Sequence, residues 1–322
     1  MPPQISGPLG PRRRIAAVLK QWREESGESL NEVAEALLIS TSKLSRLENA
    51  EGKPRLRDVR DLVQHYGKEK TPQAGQLPRL VKASEANGWW TNFDDNVLVD
   101  HIRLDAHIAY EADATVERVY TIPFLPIHLQ TEAYAKAYYR DLERRPEDQI
   151  PELIEIREKR KEAVKHRDGL DPLRLVAVTH ECSLRQIVGS AEVMREQLDA
   201  LLVRTGEENL SLHVFPFSAS PMPTMTCMYA YFQYDDLDDP GNLDQDVVQI
   251  ETQDGFLTID SSKEVRRYRD AHNDLVAAAL SEEDSRALIR DVRDSLVLSR
   301  LELRLLRRLS ATTAAFTAII TI

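Results

Sequence analysis

Over the first seventy residues, apolar side chains recur at helical spacing. Ile15, Val18, Leu19 and Trp22 stand at i, i+3, i+4 and i+7, which predicts one helix that stops near Ser26-Gly27. Ser29 and Glu32 have the spacing of a capping box, so a second helix opens there with Leu30, Val33, Ala34 and Leu37 on its inner face. The pattern breaks at 38–40, and Ser40 caps a third short helix. That helix, 41–49, turns Leu44 and Leu47 inward. It leaves Thr41, Ser42, Lys43, Ser45, Arg46 and Asn49 as its polar, hydrogen-bonding set. After Gly52-Lys53-Pro54, the residues Val59, Leu62, Val63 and Tyr66 predict a further helix ending at Gly67.

Elsewhere the pattern changes. Residues 1–11, with four prolines and two glycines, read as a flexible lead, and the charged stretch 68–78 reads as a linker. Residues 79–111 and 128–166 read as helices with charged outer faces, separated by an alternating segment at 115–122 and a proline turn at 122–126. Strand signals follow at 173–179, 210–215, 227–234, 247–252 and 256–259. A helix over 191–204 lets the first two strands run parallel, whereas Gln253-Asp254-Gly255 demands an antiparallel hairpin, so a mixed sheet is expected. Helices return over 263–280 and after Ser281, where Asp284 has cap-like spacing. The fold class is therefore multidomain: an N-terminal all-α helix-turn-helix bundle (12–67), a larger mixed α/β domain (79–295), and an amphipathic, then apolar, tail (296–322).

Charge sharpens this division. The 322 residues carry a net charge of −11. Residues 1–70 hold 13 Lys and Arg against 10 Asp and Glu, a net of +3, while the remainder holds 29 against 43, a net of −14. An acidic body with a mildly basic head repels a polyanion everywhere except at that head. Only Cys182 and Cys227 are present, which argues against a disulfide-built secreted fold and for a reducing, cytoplasmic location. No apolar run reaches the ~18–20 residues that span a bilayer, so no membrane contact is expected.

A short helix presenting Ser42, Lys43, Ser45 and Arg46 fits a major groove about 12 Å wide, where such side chains reach base edges and phosphates. Arg12, Arg13 and Arg14 would add non-specific phosphate contacts from a mobile segment. Other chemistry is poorly supported. His101 with Asp105 and His107 with Glu111 have i, i+4 spacing, but such pairs usually form a solvated face, so no metal is expected. His180-Glu181 lacks the second histidine of a zinc-protease helix, and Cys182 and Cys227 are far from a Cys-x-x-Cys pair. Neither a phosphate-binding glycine loop nor a nucleophile elbow occurs, and Tyr134, Tyr138 and Tyr139 read as core. No enzyme and no cofactor are expected.

The segment Leu30-Asn31-Glu32-Val33-Ala34-Glu35-Ala36-Leu37, continued by Ser40-Thr41-Ser42-Lys43-Leu44-Ser45-Arg46-Leu47-Glu48 and Pro54, resembles the Xre, or Cro/repressor, type of helix-turn-helix. The resemblance covers about residues 12–67 and implies that 40–49 is the recognition helix, with Arg46 and Glu48 in a Ser-Arg-x-Glu motif. Leu38 departs from it, standing where that family usually has glycine. Residues 80–292 are similar to the sensor-like domain of unknown function in actinobacterial antitoxin-like (Scr-type) regulators. The likeness rests on Ile122-Pro123-Phe124-Leu125, Leu129-Gln130-Thr131-Glu132-Ala133-Tyr134-Ala135, Glu181-Cys182-Ser183-Leu184-Arg185, Val188-Gly189, Gln197-Leu198, Val214-Phe215-Pro216-Phe217, Leu280-Ser281 and Ser285. His180, Phe124-Leu125-Pro126 and the acidic stretch 235–246 depart from its pattern. It implies an operator in double-stranded DNA, a small protein encoded by a neighbouring gene as partner, and a larger domain that serves dimerisation, partner binding or ligand sensing. Two rival readings are a protein-interaction antitoxin whose DNA contact is secondary, and an enzyme in the larger domain.

Overall fold

A computed structural model of the chain describes residues 9–85, 88–93, 104–167, 171–222, 226–234, 246–252 and 255–296. Five helices build the head: α1 (Leu9–Ser26), α2 (Leu30–Ala36), α3 (Thr41–Glu48), α4 (Leu56–His65) and α5 (Pro72–Ser84). Ile15, Leu19, Trp22, Val33, Leu44, Leu47, Val59, Leu62, Leu77 and Val81 form its buried core.

Two boundaries differ from the sequence expectation. The 1–11 lead gives way to helix at Leu9, because Pro11 sits in a first turn whose N–H groups have no intrahelical partner anyway. Residues 72–78, expected within a linker, belong to α5. Thr71 caps that helix by accepting from the Ala74 N–H, Pro72 occupies its first position, and Leu77 and Val81 are buried in the head core. Proline here marks a helix start rather than a break.

The larger domain begins at α6 (Leu104–Asp113) and contains β1 (Val116–Thr121), α7 (Glu132–Ala137), α8 (Ile150–Lys165), β2 (Arg174–His180), α9 (Glu181–Arg185), α10 (Ala191–Arg204), β3 (Leu210–Phe215), β4 (Tyr229–Gln233), β5 (Val247–Thr252), β6 (Gly255–Ile259) and α11 (Ser262–Ala278). A last helix, α12, covers 282–296. The strands form one mixed six-stranded sheet in the order β3-β2-β1-β4-β5-β6. Antiparallel pairing of β4 with β5 matches Tyr229 to Ile250, and the β5–β6 hairpin matches Thr252 to Gly255. Within 128–166, expected to be helical, α7 passes into a π-helical turn over Tyr138–Leu142, and α8 starts afresh at Ile150. The tail from 297 and the acidic stretch 235–245 lie outside the described residues.

Two compact units can be distinguished. Of the described residues, one unit takes those up to Val119, Glu155–Val176 and those between 226 and Asp274; the other takes Tyr120–Ile154, Ala177–Met222 and those from Leu275 to 296. In the first, the head joins the body through α1 and α6. The Gly10 N–H donates to Asp113 Oδ2 at 2.8 Å, and the Arg13 guanidinium lies 5.3 and 5.4 Å from the ring centres of Tyr110 and Tyr234. Arg12 donates to the Ser84 carbonyl at 3.1 Å. Arg12 and Arg13 are thus half-buried in an ordered helix, contrary to the mobile phosphate-binding role expected for them, and Arg14 alone of the three is exposed. The same unit buries Ala114, Val164, Leu173, Phe232 and Tyr234 together.

In the second unit, residues that carry the sensor-domain resemblance hold the chain. Gln197, fully buried, accepts from the Thr131 N–H and donates to the Leu129 carbonyl. Glu181 accepts from the Phe217 N–H, and Ser285 Oγ accepts from the Val214 N–H. Gly189 adopts φ +70°, and a Cβ there would stand 2.8 Å from that of Ala137. Tyr134 and Tyr139 are buried, as expected of core.

Candidate nucleic-acid interface

The motif is assembled by caps at both helix ends. Ser29 Oγ accepts from the Glu32 N–H at 3.3 Å while Glu32 accepts from the Ser29 N–H at 2.7 Å, completing the capping box of α2. At the other end the Ile39 N–H donates to the Ala34 carbonyl and the Leu38 N–H to the Glu35 carbonyl, the paired bonds of a Schellman turn. Such a turn needs a left-handed residue, and Leu38 supplies it at φ 54° with its side chain 93% exposed. Ser40 then caps α3 by accepting from the Lys43 N–H at 3.2 Å. A second Schellman turn closes α3, with the Glu51 N–H on the Arg46 carbonyl and Ala50 at φ 58°.

Leu44 and Leu47 face the head core as the periodicity predicts. Of the six expected site residues, Ser42, Arg46 and Asn49 are exposed. The other three are half-buried. Thr41 Oγ1 donates to Asn31 Oδ1 at 2.9 Å, tying α3 to α2. Ser45 Oγ accepts from Asn49 Nδ2 at 3.4 Å. Lys43 Nζ lies 2.7 Å from Asp58 Oδ1 of α4. Arg46 holds no ion pair among the described residues, whereas Lys43 is engaged within the protein.

Glu48, the last member of the Ser-Arg-x-Glu motif, points inward. Arg23 Nε of α1 donates to both of its oxygens at 2.9 Å, and burial raises its pKa against the pull of that guanidinium. Glu48 therefore anchors α3 to α1 and does not meet solvent. Beyond α3, Lys53, Arg55, Arg57 and Arg60 are exposed and extend the cationic surface along the loop and α4. The apolar reading of α4 left these cations and Asp58 unassigned. Their signal in the sequence is a run of four Lys or Arg with two Asp between 53 and 61.

His107 and Glu111 contradict their expected solvated face, since both are buried. Their ligand atoms and those of Glu117 lie within 4.8 Å of one another. His107 Nδ1 is 2.8 Å from Gln249 Oε1, and its ring stacks on Phe256. The buried Arg160 donates to both oxygens of Glu111. Burial, aided by the Arg160 charge, lowers the His107 pKa to about 4. This neutral imidazole and the neighbouring Glu111–Arg160 ion pair are in the body, apart from the α2–α3 motif, and His101 lies outside the described residues.

Among the described residues no helix is long and apolar enough to cross a membrane. A helix-turn-helix domain family matches residues 14–73, which include α2, the Leu38 turn and α3. No curated protein and no solved structure matches the chain. A domain of unknown function, DUF5753, matches residues 104–291, more than half of the sequence. The chain accordingly belongs to the DUF5753 family and carries a helix-turn-helix domain ahead of that domain.

Proposed function

We propose that this protein is a sequence-specific transcriptional regulator of the Xre type, which inserts α3 into the major groove of an operator. The observation that carries this reading is the outward face of α3, where Ser42, Arg46 and Asn49 are exposed beside the cations of 53–60. Arg46 supplies the base or bidentate contact, Ser42 and Asn49 add hydrogen bonds, and Lys53, Arg55, Arg57 and Arg60 meet phosphates. Thr41 and Ser45 hold the surface in shape, and the first helix of the pair braces it. The larger domain, on this reading, is the antitoxin-like, Scr-type partner: it binds a small protein encoded beside it, dimerises or senses a ligand, and does not catalyse a reaction. Arg46→Ala should cost about 1–3 kcal/mol of operator affinity in a gel-shift titration on the DNA upstream of the coding region, with the fold intact because Arg46 is outside the core. Undiminished affinity in that variant would remove α3 from the interface.

A further inference from the structure

We propose that Asp58 sets the charge that α3 displays, by holding the Lys43 ammonium against α4 so that Lys43 is withheld from DNA; this rests on the DNA-binding reading above. The Lys43 Nζ to Asp58 Oδ1 distance is 2.7 Å, and the Asp58 side chain is only 12% exposed, against 36% for Lys43. The second oxygen, Oδ2, is buried and has no hydrogen-bond partner among the described residues. Asp58 has therefore exchanged most of its hydration for one cation. Removing that cation would strand a largely desolvated carboxylate, a larger loss than one exposed lysine–phosphate contact returns. Position favours the arrangement further. Asp58 stands in the first turn of α4, whose N-cap Arg55 makes no side-chain cap bond, so the helix dipole favours a carboxylate there.

One turn along α3, Arg46 has no such partner among the described residues. The pair thus divides the cations of α3 into one that is displayed and one that is neutralised. Fewer phosphate contacts lower the affinity for arbitrary sequence, and base contacts through Arg46 then weigh more in the choice of site. Asp58 is on this account a specificity-determining residue that acts through Lys43.

The test is a salt titration of binding to a mixed-sequence duplex of about 30 base pairs, roughly three helical turns, for the parent, Asp58→Asn, and the double variant Asp58→Asn with Lys43→Met. Asp58→Asn should bind more tightly, with a salt dependence steeper by about one phosphate contact. The double variant should return to the slope of the parent, since a neutral pair replaces a neutral pair. A slope in Asp58→Asn equal to or shallower than the parent's overturns the proposal. A double variant shallower than the parent by about one contact does so too, because Lys43 would then already touch phosphate. Should Asp58→Asn fail to fold, the double variant decides alone. A parent with no salt slope on any duplex overturns the DNA-binding reading itself, and this proposal with it; a normal parent slope with an unchanged Asp58→Asn overturns only the role of Asp58.

Discussion

Leu38 holds a backbone angle that glycine would take without strain, and its side chain, almost wholly in solvent, loses no burial if removed. The left-handed conformation costs a non-glycine residue about 1–2 kcal/mol, and the added freedom of an unfolded glycine returns part of that. Leu38→Gly should accordingly stabilise the protein by about 0.5–1 kcal/mol in urea denaturation; a loss would mean that Leu38 makes a contact the exposed side chain does not show. His107 gives a pH dependence of defined sign. Its folded pKa of about 4 lies below the ordinary value of 6.5, so the unfolded chain takes up a proton first as pH falls through 6.5, and stability is lost progressively until pH reaches about 4. Between pH 7 and pH 5 the parent should lose about 2 kcal/mol more than His107→Gln, measured by urea midpoints at the two pH values. Equal losses would place a charged or solvated imidazole at this position.

Elements whose information is local were legible in the sequence. The apolar stripes of α1, α2 and α4, the Ser29–Glu32 box and the Ser40 cap all lie within a few turns of the residues they act on. Helix α10 and strand β3 likewise begin and end where periodicity and turn residues place them. Elements defined by distant partners were not legible. The Glu111 carboxylate looks like a surface group until Arg160, 49 residues on, is brought to it, and His107 finds Gln249 142 residues away. Helix α5 was hidden for a related reason: its proline and glycine content obscured an apolar face that makes sense only against α1 and α4. The start of α1 shows how tightly such long-range contacts are fitted. A Cβ at Gly10 would lie 2.6–2.7 Å from Asp113 side-chain atoms, so Gly10→Ala cannot keep the bond from the Gly10 N–H to Asp113. Although alanine favours a helix, that variant should lose about 1 kcal/mol in denaturant unfolding, and a gain would show that the α1–α6 contact is slack.

At the scale of the molecule, a head of net +3 precedes a remainder of net −14. On the proposed reading, duplex DNA is attracted to the head and repelled by the acidic remainder, which favours encounters through the head. The candidate surface was legible in outline, since the polar positions of α3 follow from the apolar positions of Leu44 and Leu47. Its division into displayed and engaged groups was not, because Asp58 and Asn31 reach Lys43 and Thr41 from other helices. The most direct test compares equilibrium binding of the full chain to a duplex from upstream of its coding region with binding to a mixed-sequence duplex, each over several salt concentrations, for the parent and Arg46→Ala. The account predicts tighter binding to the first duplex, affinity falling linearly on logarithmic axes with salt for both, and a sequence preference reduced by about 1–3 kcal/mol in Arg46→Ala. Weak binding without sequence preference or salt slope, or a variant that discriminates as the parent does, would contradict it.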